Sequence, residues 1–317
     1  MVNIFPRSPS SLRKAGILGL NQRNESWVMA HNPRRAYPMA DDKLLTKKMA
    51  IEAGITVPEL YGSVSATGEL RHIDKLLGPH RDFVIKPVHG SGGSGIIVIS
   101  GRDGDNYLGI DGTPYDSGAL RSHIAHILSG LYSLGGQPDS AMIEYRVRFS
   151  RIFEHLAYKG VPDIRTIVFR GIPIMSMLRL PTRKSHGKAN LHQGAVGVGV
   201  DMATGMTIGG VSSNTRISEH PDTGAALAGH MIPDWDTILE ISSRCYNLTE
   251  LGYLGVDIVL DEGLGPMVLE INARPGLNIQ IANNCGIAKR LEAVRALREL
   301  PTETADRIAL AKQMFAV

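Results

Sequence analysis

The sequence predicts an α+β fold in two lobes, and three stretches carry that expectation. Phe83-Val84-Ile85 and Ile96-Ile97-Val98-Ile99 are strand-favouring runs joined by a glycine-rich loop. Leu120, Ile124, Ile127, Leu128 and Leu131 recur at helical spacing, and Gly135-Gly136 stop that helix. Val256 to Leu260 and Met267 to Ile271 flank Asp261-Glu262-Gly263-Leu264-Gly265, a strong hairpin signal. Runs of antiparallel strand flanked by helices make α+β layers.

In chain order, residues 1–40 are rich in Arg, Asn, Ser and Pro and read as an irregular arm or cap. Their one apolar stretch is Gly16-Ile17-Leu18-Gly19-Leu20. Asp41 or Asp42 N-caps a helix that Gly54 ends, with Leu44, Leu45, Met49 and Ile51 mostly on one side. A short strand starts at Val57-Pro58-Glu59-Leu60-Tyr61, the glycine hairpin follows, and the chain through Gly112 reads as polar turn. Beyond the 120–131 helix, strands are expected over 141–147, 164–169, 172–179, 195–200 and 206–210. A helix near 237–251 and a helical tail from 287 complete the pattern. The expected domains are an arm (1–40), a small lobe with the glycine loop (41–140), a large lobe (141–290) and the tail (291–317).

The 317 residues are 43% hydrophobic and 21% charged, as in an ordinary soluble globular protein. A formal charge of +3 is too small to argue for nucleic acid or an anionic membrane as partner. Only Cys245 and Cys285 occur, without metal-ligand spacing, which fits a reducing cytoplasm. The 11 histidines are scattered and make no zinc motif. No stretch approaches the roughly 18 apolar residues of a membrane helix, and residues 1–7 lack a signal-peptide core.

Gly90-Ser91-Gly92-Gly93-Ser94-Gly95 matches the dinucleotide-binding template letter for letter. That template works by leading from a strand into a helix whose N-terminus holds the pyrophosphate. Here a second strand follows, so no helix dipole waits behind the glycines. What remains is a glycine-rich hairpin with Lys86 on the strand leading into it. Glycines let backbone N–H groups approach phosphate oxygens, and the lysine adds a point charge. The bland alternative is a flexible hairpin with Lys86 as a solvated edge residue.

The stretch from Gly255 to Asn278 is more informative. Glu270 and Asn272 are two apart on a strand and leave the same face; Asp257 lies on the partner strand, opposite Glu270 to within a residue or two of register. Three oxygen donors on an apolar hairpin suit Mg²⁺, with nucleotide phosphates completing its shell.

In order along the chain come Lys43, Lys86 with the glycine hairpin, Met142-Ile143-Glu144-Tyr145, Asp163-Ile164-Arg165, Asn190-Leu191-His192-Gln193-Gly194 and Leu269-Glu270-Ile271-Asn272-Ala273-Arg274-Pro275-Gly276. With these motifs, residues 40–290 resemble the ATP-grasp ligases, and within them the RimK-type, alpha-L-glutamate ligase-like proteins. The resemblance implies two α+β lobes gripping ATP; the chain departs from a typical member in a shortened N-terminal region, with barely forty residues before the first expected helix. Lys43 and Lys86 would contact phosphates, and Gly90, Ser91, Gly92, Gly93, Ser94 and Gly95 would close over them. Glu144, Tyr145, Arg146 and Val147 would form the adenine-side segment, and Asp163 would belong to the nucleotide site. Asp257, Glu270 and Asn272 would hold one or two Mg²⁺ ions, with Mn²⁺ as a substitute. Arg165, Arg274, Lys188 and Asn190 would face the reacting phosphoryl and carboxylate groups.

The implied reaction joins a carboxylate to an amine through an acyl phosphate, with small-molecule or peptide substrates and glutamate among the candidates. Phosphotransfer to an alcohol and a catalytically silent nucleotide-binding partner protein are the alternatives. A homo-oligomer in which a second subunit completes the substrate wall is a further expectation.

Overall fold

The strand-forming runs sort into two antiparallel sheets in a computed structural model that describes residues 9–90 and 92–317. The expectations for residues 1–7 and for Ser91 lie outside those residues. The chain folds into two compact units.

The smaller unit comprises Asp42–Lys48 and Val57–Arg148. Its strands are β1 (Leu60–Val64), β2 (Phe83–Pro87), β3 (Ile97–Asp103), β4 (Asn106–Gly109), β5 (Pro114–Tyr115) and β6 (Ala141–Glu144), in the order β1-β6-β2-β3-β4-β5. The β2–β3 pairing across the glycine loop, Val84 opposite Val98, is the expected hairpin. The region read as polar turn through Gly112 instead holds β4, and β5 follows directly after it. Their Asn, Gly and Pro residues look like turn chemistry, but Tyr107 buries its ring edge-on against Phe83 and fixes the pairing. The helix Ser117–Leu128 starts at Asp116, which accepts from the Ala119 N–H at 2.6 Å. It buries Leu120, Ile124 and Ile127 in one core with Phe83, Ile85, Ile99 and Ile143. Each such side chain stabilises by roughly 1.5–3 kcal/mol.

The larger unit takes Met1–Asp41, Met49–Thr56 and Phe149–Val317. Its strands are β7 (Asp163–Phe169), β8 (Ile172–Leu180), β9 (Val196–Val200), β10 (Thr207–Ser212), β11 (Thr215–Ile217), β12 (Tyr253–Asp261) and β13 (Gly265–Asn272), ordered β11-β10-β9-β8-β7-β12-β13. Every residue of β8, β9 and β12 is buried, so the sheet is covered on both faces. The helices Trp235–Thr249 and Thr304–Phe315 pack against it. Residues 141–148 go with the smaller unit, and the first 41 residues and the helical tail with the larger one.

Of the residues read as an irregular arm or cap, those described are more regular than expected. Pro9–Lys14, Leu20–Gln22, Arg23–Met29, Arg34–Ala36 and Pro38–Asp41 are helical turns, the third of π type. Leu18, Trp27, Val28, Ala36 and Ala40 are buried. Trp27 meets Phe169 of β7 edge-on at 5.3 Å. Tertiary partners order this segment, since its apolar residues are too sparse to form a helical stripe.

Candidate functional site

In the smaller unit Lys86 sits on β2, between β6 and β3 in the sheet, and is only 9% exposed. The reading of it as a solvated edge residue is therefore excluded. Its Nζ lies 2.5 Å from Glu144 Oε1, and Lys47 Nζ lies 2.7 Å from Glu144 Oε2. Lys47 also donates to the Pro58 carbonyl. Burial alone would push Glu144 up, but Lys86 and Lys47 outweigh it and hold the carboxyl below its usual range. Burial dominates at Lys47 and pushes its ammonium down. One carboxylate between two lysines leaves this cluster with a net positive charge, which suits a polyphosphate.

The glycine loop is shaped at both ends. A Cβ on Gly90 would collide with the Pro87 ring, and one on Gly95 would stand 2.6 Å from the Tyr132 ring. Gly92, Gly93 and Gly95 have φ of 63, 75 and 73°, in the left-handed region that glycine enters without cost. The Gly95 carbonyl is 2.9 Å from His123 Nε2. Ser94 is exposed. Lys43 lies by the loop root, its Nζ donating to the carbonyls of Gly90 at 2.6 Å and Val88 at 3.2 Å. Beyond β6, the Tyr145 N–H donates to the Glu59 carbonyl at 2.8 Å, and Arg146 pairs with Asp82 at 3.0 Å. Val147 is half-buried.

In the larger unit the charged residues lie on two neighbouring rungs of one sheet face. Register places Glu270 opposite Asp257, Asp257 opposite Arg165, and Asp163 opposite Arg179. Residues paired across antiparallel strands share a face, so all five point the same way. Arg165 makes a bidentate pair with Asp257, Nε to Oδ1 at 2.7 Å and Nη2 to Oδ2 at 2.5 Å. Arg179 donates through Nε to Asp163 Oδ1, and through Nη2 to Asp163 Oδ2 at 2.6 Å and Asp257 Oδ2 at 2.8 Å. Burial pushes Asp163 up. At Asp257 the two arginines outweigh burial and push the carboxyl down. The two aspartates differ because Asp257 faces both guanidiniums and Asp163 chiefly one.

Asn272 completes the donor set, its Nδ2 lying 3.4 Å from Asp257 Oδ2. Two carboxylates and an amide are hard oxygen donors of the type Mg²⁺ takes. Among the described residues Asp257 Oδ1 accepts from Arg165 Nε, and a carboxylate oxygen has a second lone pair. The residues therefore fit a divalent cation, with Asp257 partly neutralised by its arginines. Among the described residues no group of three His, Cys, Asp or Glu side chains could hold a metal, so the amide of Asn272 is needed.

The turn after β13 is held from below. Gly255 has no room for a side chain, because Pro275 lies where its Cβ would be, at 2.6 Å. Arg23 donates to the Pro275 carbonyl at 2.7 Å, and Asn32 donates to the carbonyls of Tyr253 at 2.7 Å and Ala273 at 3.0 Å. Arg274 is exposed, its guanidinium 4.3 Å from the Tyr37 ring centre, a cation–π contact. The Asn190 side chain accepts from the His192 N–H at 3.0 Å and so caps its own loop. His192 Nε2 approaches Gly276, while Lys188 is exposed.

Arg179 and Lys47 fall outside the expectations drawn from the sequence. An arginine inside the mostly apolar run Ile172–Leu180 is the available signal, since a buried guanidinium requires a partner. Lys47 follows Lys43 by one helical turn.

Two antiparallel sheets, a glycine hairpin between β2 and β3, and the acidic and amide donors of β12 and β13 define an ATP-grasp protein. The chain belongs to the sugar-transfer associated ATP-grasp family, whose model matches residues 22–296. The resemblance read from the sequence holds at the level of the superfamily. No curated protein matches the chain. Among solved structures it is similar to the ATP-grasp ligase PsnB complexed with its minimal precursor (15% identity, TM-score 0.44, 89% of this chain and 63% of that one). It is also similar to the D-alanine–D-alanine ligase of Bacillus anthracis complexed with ATP (17%, TM-score 0.43, 88% and 66%). A RimK domain ATP-grasp protein from Sphaerobacter thermophilus is a third (14%, TM-score 0.42, 83% and 70%). The chain spans less than two thirds of the length of PsnB and of the D-alanine–D-alanine ligase.

Proposed function

We propose that the protein is an ATP-dependent carboxylate–amine ligase working through an acyl phosphate. The observation that supports this most is the row Glu270–Asp257–Arg165 with Asn272, which places metal-type donors beside a guanidinium on one sheet face. A carboxylate is a poor electrophile at neutral pH. A carboxylate oxygen attacks the γ-phosphorus of ATP, ADP leaves, and the resulting acyl phosphate is attacked by an amine. Phosphate departs with the bonding electrons, the amine proton goes to solvent, and an amide remains.

Such chemistry needs positioning and charge neutralisation more than a protein nucleophile. A Mg²⁺ ion held by Glu270, Asn272 and Asp257 would neutralise phosphate charge. Lys86, paired with Glu144, and the N–H groups of Gly92, Gly93 and Gly95 receive the polyphosphate. Arg165 and the exposed Arg274 receive the carboxylate and the transferring group. Lys188 and Asn190, on the loop before β9, serve as substrate contacts. Tyr145, Arg146 and Val147 serve the base, and Asp163 acts through Arg179. Arg165 is shared: it must hold Asp257 and still offer Nη1 to substrate.

The family's association with sugar transfer makes carboxylate- or amine-bearing sugar derivatives the first substrates to try, ahead of glutamate and peptides. The test incubates the protein with ATP, Mg²⁺ and pools of carboxylates, with hydroxylamine as a trapping amine. Hydroxamate and ADP appearing together, each requiring the carboxylate, support the ligase. ADP formed with an alcohol and without any carboxylate would replace it with a phosphotransferase.

A further inference from the structure

Directly before the glycine loop, His89 is fixed more firmly than an exposed residue needs. The Asp139 side chain is fully buried and accepts from the His89 N–H at 3.0 Å, His89 Nδ1 at 2.8 Å, Ser133 Oγ at 2.6 Å and the Ser140 N–H at 2.7 Å. Burial would raise its pKa, yet these donors outweigh burial and lower it, so Asp139 is a carboxylate at neutral pH. An ionised carboxylate only accepts, hence Nδ1 of His89 carries a proton in either charge state of the ring. Lys43 holds the carbonyls of Val88 and Gly90, the residues on either side. Backbone and ring are thus pinned together, and the ring remains half exposed with Nε2 turned away from Asp139.

The charged groups around that nitrogen are Asp139 behind the ring, Asp42 with Oδ2 3.9 Å from Nε2, and Lys43 on the same helix. Asp42 Oδ1 caps that helix, accepting from the N–H groups of Leu44 and Leu45. In the imidazolium form Nε2–H becomes a second donor, charged and facing away from the pin. A mere pin for the loop root would need only Nδ1; an oriented and accessible Nε2 beside a phosphate-binding loop has a second use.

We propose that His89 is a phosphate-binding residue of the nucleotide site, with Asp139 as the positioning residue that presents Nε2–H to the polyphosphate. This rests on the reading of the glycine loop as a nucleotide site.

The test uses the full chain with ADP and adenosine as probes. His89→Gln should weaken ADP binding about tenfold, as expected for a lost hydrogen bond to a charged group. It should leave adenosine binding unchanged. Asp139→Asn should weaken ADP binding in the same direction and likewise spare adenosine. In the unmutated protein, the His89 ring resonances followed by NMR should shift on adding ADP and stay in place on adding adenosine, a readout that no folding defect can imitate. Unmoved His89 resonances together with an unchanged ADP affinity in His89→Gln overturn the proposal while leaving the nucleotide site standing. No ADP binding by the wild type brings down both.

Discussion

Replacing Arg179 by Met keeps the length and apolar packing of the side chain and removes its charge. Arg179 is 8% exposed and is the partner of two buried carboxylates, Asp163 (8%) and Asp257 (3%). Asp257 keeps the bidentate pair with Arg165, so the loss falls mainly on Asp163. Removing one partner of a buried ion pair costs about 3–5 kcal/mol, most of it the penalty of the charge left behind. Retention of Arg165 places the expected loss at the lower end, about 3 kcal/mol. Both tryptophans, Trp27 and Trp235, belong to the larger unit, so fluorescence during urea unfolding reports that unit alone. The double variant Arg179→Met, Asp163→Asn leaves no unpaired charge and should recover more than about 1 kcal/mol of the loss, a coupling typical of contacting residues. A loss within about 0.5 kcal/mol for Arg179→Met, the range of an ordinary surface substitution, would refute the buried network.

Lys86→Ala should lower the stability of the smaller unit by roughly 3 kcal/mol, because Glu144 is left with Lys47 alone; hydrogen exchange of β2 and β6 measures it. Glu270→Gln should abolish most Mg²⁺-dependent ADP formation while shifting the urea midpoint little, since Glu270 is only half-buried; a wild-type Mg²⁺ titration in that variant would remove Glu270 from the metal set. Asp139 has a depressed folded-state pKa, so its contribution is present above the unfolded carboxylate value of about 3.9 and is lost as pH falls through the lower folded value. The acid limb of stability against pH should therefore be shallower in Asp139→Asn than in the wild type.

The hairpins were legible because local composition decides them. Phe83-Val84-Ile85 and Ile97-Val98-Ile99 are strand formers whatever surrounds them, and the turn at 261–265 closes as its residues suggest. The shared face of Glu270 and Asn272 followed from the two-residue strand period, and the hairpin turn brought Asp257 opposite them to within a residue or two of register. Ion pairing did not follow. Nothing in the spacing of Asp163, Arg165 and Asp257 says that Arg179, sixteen residues after Asp163, will join two of them, because strand register is a tertiary fact. The turns at 9–41 were hidden for a related reason. Their order comes from Phe169, Tyr253 and Pro275, far along the chain, rather than from any pattern of their own.

That last dependence has a consequence in time. Leu18 bonds with Gln280, Arg23 with Pro275 and Asn32 with Tyr253, across separations of 262, 252 and 221 residues. At about 5–20 residues per second of synthesis, Arg23 leaves the ribosome roughly 10 to 50 s before its partner has been made. Until Phe169 has been made, Trp27 lacks the ring it packs against, and a nascent chain would present it to solvent or to a chaperone. The turn that carries Arg274 is completed only when the oldest residues of the chain meet some of the newest.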